Sequence, residues 1–159
     1  MPTSYSRAHI ILHWVTLLLI IQQFVFHDAI SEAFRAMLRG TEVVFAPAIA
    51  AHVFGGFLVF VFALTRIAMR LSNGVPPEAE GPAAQKLAAK AVHLGLFGLM
   101  IALPISGAVA WFQGVAAAGE AHEVMKVALM ALVGLHVVAA LWHQFGLKDG
   151  LMRRMSLRG

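Results

Sequence analysis

Eight histidines are spread through a 159-residue chain that contains no cysteine. Three of them, His122, His136 and His143, fall in the run GEAHEVMKVALMALVGLHVVAALWHQ, residues 119–144, at gaps of 14 and 7 residues. At 3.6 residues per turn these gaps are close to four turns and two turns, so the three imidazoles share nearly one stripe of a helix. Imidazole binds metals, exchanges hydrogen bonds and carries a proton near neutral pH. The absence of cysteine removes thiolate-held metals, iron–sulfur clusters and thioether-linked haem. What remains is imidazole ligation and imidazole proton transfer.

The segments that must position these side chains are apolar. The chain is 60% hydrophobic and 13% charged, against about 25% charged in soluble domains, and its mean hydropathy is +0.79. Four stretches almost free of charge run about 8–27, 47–67, 92–113 and 121–145. Each is about 20 residues or longer, enough to cross a bilayer as helix. The expected fold is therefore all-α: an integral membrane four-helix bundle, one transmembrane domain over 1–159. The first span carries His13 and His27 and has no small-residue cleavage site, unlike a cleaved signal peptide. Nine of the twelve Lys and Arg residues (Arg7, Arg66, Arg70, Lys86, Lys90, Lys148, Arg153, Arg154 and Arg158) lie on the side of the termini. Arg35, Arg39 and Lys126 lie on the other. This bias places both termini in the cytoplasm. The basic isoelectric point, about 10.1, is then a topology signal. No aromatic-basic patch argues for nucleic-acid binding.

Punctuation supports the same division. Ser6 suits an N-cap for the first span, and Pro47 the first turn of the second. Residues 31–42 are weakly amphipathic and are expected to lie on the outer surface. Residues 72–82, SNGVPPEAEGP, read as a loop, as do residues 114–121, GVAAAGEA. Pro104, in ALPISG, is expected to kink the third span. Gly55, Gly56, Gly95, Gly98, Gly107 and Gly134 allow close approach of backbones or of a flat ligand.

Depth along antiparallel spans then pairs the histidines. His52 and His122 share the outer half, and His13 and His136 the inner half. The fourth span contributes to both, its two ligands about 21 Å apart at 1.5 Å per residue. One imidazole from each of two facing helices, on opposite faces of a planar ring, is the ligand set of a six-coordinate haem. The expectation is two b-type haems: His13 and His136 on the inner iron, His52 and His122 on the outer. Polar side chains inside a bilayer are costly and tend to be functional. A transporter for bare metal ions, the competing non-redox reading, would also need carboxylates at mid-membrane, and the spans have none there. His9 and His27 sit at the two mouths of the first span and read as interfacial.

With these residues in view the chain resembles the bacterial cytochrome b561 family of four-span di-haem b cytochromes. The resemblance rests on YSRAHIILHW (5–14), AHVFGGFLVFVFALTRIAMR (51–70), HLGLFGLMIALPISG (93–107) and HEVMKVALMALVGLHVVAALWHQFGLKD (122–149). It implies residence in the bacterial inner (plasma) membrane and oxidoreductase activity with the quinone pool, ubiquinone being the expected substrate. The superoxide oxidase branch implies superoxide as outer donor, which Arg35, Arg39 and Lys126 would attract. The alternative is an electron-carrier subunit docking a separate dehydrogenase or a periplasmic redox protein. Candidates for a quinone site at the inner mouth are Trp14, His93 and His143, with Arg7 and Lys148 nearby. The other partner is membrane lipid.

Overall fold

The computed structural model describes residues 4–44, 46–77 and 81–157. Arg158, part of the charge pattern above, and residues 78–80 of the expected loop lie outside the described residues. The described chain forms five α-helices and no strand: α1 (Arg7–Val25), α2 (His27–Leu38), α3 (Pro47–Asn73), α4 (Ala83–Gln113) and α5 (Ala116–Leu141). A π-helical turn, Trp142–Leu147, and a 3-10 turn, Leu151–Met155, follow. Four helices are long and apolar enough to cross a membrane: α1, α3, α4, and α5 with its π-helical extension.

The helix starts follow local chemistry. Ser6 Oγ accepts a hydrogen bond from the His9 amide at 3.3 Å and caps α1. Pro47 opens α3, where its missing N–H costs nothing. Inside the spans Thr16 and Thr65 donate to the carbonyls of Leu12 and Val61, at 2.6 and 2.8 Å, so their hydroxyls are satisfied without water.

Several boundaries differ from those read in the sequence. Helix α3 runs on to Asn73, and α4 begins at Ala83, nine residues before the apolar stretch. Hydropathy marks where bilayer begins. AAQKLAAKA is rich in strong helix formers and stays helical beyond it. The expected loop 114–121 shrinks to Gly114, left-handed at φ 67°, and Val115, because AAAGEA winds into the first turns of α5. The segment at the end of the bundle opposite the termini is a helix from His27 onward, more strongly amphipathic than expected, with Ala33 on its buried side.

Helix α4 packs along α5, α1 along α3, and α3 along α4. Among the described residues α1 and α5 are not a closely packed backbone pair; side chains span the gap between them. At mid-depth the core is a plug of Ile20, Val59, Ala63, Met100, Leu103 and Leu129. Leu129 lies midway between His122 and His136 on α5, so this plug separates the two halves of the bundle. The outward faces keep large apolar residues exposed, among them Leu18, Phe54, Leu94 and Val138, as expected where lipid is the solvent.

Candidate haem-binding sites

The four histidines expected as ligands meet in two pairs. The rings of His13 (α1) and His136 (α5) have centroids 6.2 Å apart. Those of His52 (α3) and His122 (α5) are 6.4 Å apart. A metal–imidazole bond is about 2.0–2.1 Å, and each ring centre lies about 1.1 Å behind its nitrogen by ordinary covalent geometry. An iron held between two imidazoles therefore needs centroids about 6.3 Å apart, and both pairs meet that requirement. Among the described residues no three His, Asp or Glu side chains converge as a ligand cluster. A bare zinc-type ion wants three or four protein ligands, so the pairs suit a metal that brings its own equatorial ligands.

The far-side pair, on the side opposite the termini, opens on a cavity of about 540 Å³, a usual size for a cofactor pocket. Phe24, Phe60, Trp111 and Pro104 are among its walls. His122 is held from behind. Its Nδ1 lies 3.0 Å from the Leu103 carbonyl and 3.2 Å from Ser106 Oγ, which itself donates to Leu103 O at 2.9 Å. A carbonyl only accepts, so Nδ1 carries the proton and Nε2 keeps its lone pair for a metal. Gly107 is part of the same fit: a Cβ there would sit 3.1 Å from His122 Cε1. The ALPISG segment thus positions an imidazole on the neighbouring helix. The sequence reading missed Ser106, although its spacing beside Pro104 and Gly107 was visible.

The mouth of this cavity carries charge. Lys126 Nζ lies 2.7 Å from His27 Nε2 and 2.5 Å from Glu123 Oε2, and Arg35 donates to Ser31 Oγ at 3.1 Å. His27 is thus tied into a polar cluster at the rim.

On the termini side the structure separates residues that the sequence reading grouped. The His93 ring lies only 5.3 Å from that of His136, nearly edge-on at 74°, too close to hold an iron between them. The Trp14 ring is 5.3 Å from His13, and its Nε1 donates to the Met155 carbonyl at 2.9 Å. His143 is buried in the π-helical turn, its Nδ1 2.5 Å from Asp149 Oδ2 and its Nε2 2.9 Å from Gln85 Nε2. That hydrogen bond holds the Asp149 carboxyl below the usual range. Arg7 and Lys148 are exposed, Lys148 in the left-handed region at φ 54°. Gln85 was not foreseen, because it lies outside the apolar stretch. His9, expected at the interface, is 5% exposed and stacks on Tyr5 at 4.8 Å.

Comparison with known proteins shows the family. Residues 4–157 match the family described as prokaryotic cytochrome b561. The chain belongs to that family. It is 36% identical over 155 residues to cytochrome b562 of Cereibacter sphaeroides, covering 96% of this chain and 94% of the relative. It is 28% identical over 177 aligned positions to a probable superoxide oxidase, CybB, of Yersinia pestis, covering 98% and 97%. That alignment is longer than the 159 residues here, so the relative carries inserted residues. The protein is a multi-pass inner-membrane cytochrome b561 whose family carries b-type haem and transfers electrons in the membrane.

Proposed function

We infer that the chain binds two b-type haems, one between His13 and His136 and one between His52 and His122, and passes electrons through the membrane to the quinone pool. The observation that carries this reading is the pair of imidazole spacings, 6.2 and 6.4 Å, each suited to one iron. Bound haem supplies one-electron redox chemistry at each level. The protein supplies the rest. Helix α5 offers one ligand to each level, about 21 Å apart along its axis, and the apolar plug around Leu129 keeps water out of the space between them. Leu103 and Ser106 fix the His122 tautomer.

The distribution of Lys and Arg supports cytoplasmic termini, so His13 and His136 form the inner pair. Quinone reduction consumes protons with electrons. The inner mouth holds a proton route in His143, whose Nδ1–H donates to Asp149 and whose Nε2 accepts from Gln85. Trp14, His93, Arg7 and Lys148, the other candidates from the sequence, belong to the termini-side end of the bundle without converging on His143, and ubiquinone is the expected acceptor.

The donor lies on the outer side. Of the three outer cations Lys126 is paired with a carboxylate, Glu123, whereas Arg35 donates to the uncharged Ser31 hydroxyl and keeps its charge. The Lys126–Glu123 pairing lowers the positive field at the rim that would draw a small anion, and a redox protein is the first reading for the donor. The 28% identical probable superoxide oxidase supports superoxide as the second reading. Pulse-generated superoxide mixed with the oxidised protein decides. Haem reduction faster than spontaneous dismutation establishes the superoxide reading. No reduction leaves the protein-docking carrier.

A further inference from the structure

Arg66 is 9% exposed, near the termini-side end of α3. A guanidinium stays charged at any ordinary pH, and a buried charge is retained only when something compensates it. Among the described residues no carboxylate forms an ion pair with Arg66, and its Nε has no hydrogen-bond partner. Its guanidinium carbon sits 5.3 Å from the centre of the Phe97 ring, and Arg70 reaches the same ring at 5.8 Å. Its one polar contact among the described residues is with the His13 ring, Nη2 to Nδ1 at 3.1 Å.

That contact conflicts with ligation. Arginine only donates, so His13 Nδ1 must accept, and a neutral His13 then carries its proton on Nε2. A ring that binds iron through Nε2 needs the lone pair there and the proton on Nδ1. Arg66 and a ligating His13 would then face each other as two donors. One of them must turn away, and the guanidinium, with an unpartnered Nε and a flexible stem, is free to do so.

We propose that Arg66 leaves His13 when the inner haem binds and forms a charge-assisted pair with a carboxylate of that haem, one of its propionates. The inference rests on the two-haem reading above. A planar fork of N–H donors matches a carboxylate better than any other side chain does. A propionate answers both the missing counter-charge and the vacant Nε. Arg66 is thus a positioning residue that sets the seat and the potential of the inner haem. A lipid phosphate offers similar chemistry from a different source.

The test uses the purified holoprotein, wild type against R66M and R66K, with R70M as a neighbouring-charge control. The readouts are haem per chain, the resonance Raman propionate bending mode of the inner haem, and both midpoint potentials. They are measured in detergent with and without added anionic lipid. In R66M the propionate mode should shift. The oxidised-to-reduced equilibrium of the inner haem should move about tenfold toward the oxidised form, about 59 mV for one electron. The outer haem should not change. R66K, which keeps the charge but loses the fork, should hold the potential while the mode still shifts, and R70M should leave the mode alone. If R66M does not accumulate, R66K alone decides. A mode unchanged in every Arg66 variant overturns the proposal, as does a shift that appears only with anionic lipid. One haem per wild-type chain refutes the two-haem reading itself, whereas two haems with an unmoved mode refute only the role of Arg66.

Discussion

The proposed ligands differ in what holds them, and so in what their loss should do. His52→Ala and His122→Ala should each remove the outer haem and spare the inner one, while His13→Ala and His136→Ala should do the reverse. Haem extraction and the split of the α-band check this. His93 lies against His136 without room for an iron between the rings, so His93→Ala should keep both haems. Loss of a haem there would overturn the pairing. Around His122 the structure separates two supports. Ser106→Ala leaves the Leu103 carbonyl on Nδ1 and should weaken outer haem affinity by less than about tenfold. Gly107→Val drives a side chain into the imidazole and should weaken it by tenfold or more, within the range for supports of a metal ligand. The two histidine pairs were legible in the sequence because spacing and depth are one-dimensional. Ser106, Gln85 and the contact of Arg66 with His13 were not, because each is a side-chain meeting between helices whose rotation no spacing specifies.

At the scale of elements, the spans were legible from hydropathy, but their ends were not. Hydropathy reports the solvent around a helix, whereas the ends of α4 and the start of α5 are decided by runs of Ala that stay helical in water. The π-helical turn at Trp142–Leu147 was equally hidden, since one residue of extra winding leaves no compositional trace. Such turns recur at functional sites, and this one buries His143 beside Asp149. If the pair serves quinone, His143→Ala should leave both haem spectra intact and slow oxidation of the pre-reduced protein by short-chain ubiquinone about 10–100-fold. Stopped-flow mixing measures this, and an unchanged rate moves the quinone site elsewhere. The pair also has a pH signature. Because the Asp149 pKa is lowered in the folded chain, its contribution is present above the ordinary carboxylate pKa of about 3.9. It is lost as pH falls through the lowered value. Tethering of the C-terminal turn should therefore loosen only in acid, and Asp149→Asn should abolish that dependence in proteolysis of the tail.

The molecule as a whole is a bundle with an imidazole pair near each end, an apolar plug between them, and an asymmetric charge distribution. Because the chain has no cysteine, single-cysteine labelling reads its orientation without background. Leu157→Cys should be labelled only from the cytoplasm and Val44→Cys only from outside, both positions being exposed; the opposite pattern would invert the direction of electron flow. The central claim is that this one small chain carries two stacked sites, and haem counting tests it most directly. A reduced-minus-oxidised spectrum of the purified 17.1 kDa protein, combined with pyridine haemochrome quantification, should give two low-spin b haems per polypeptide, both extractable by acid acetone. A stoichiometry of one, or a high-spin spectrum, would contradict the pairing of His13 with His136 and of His52 with His122.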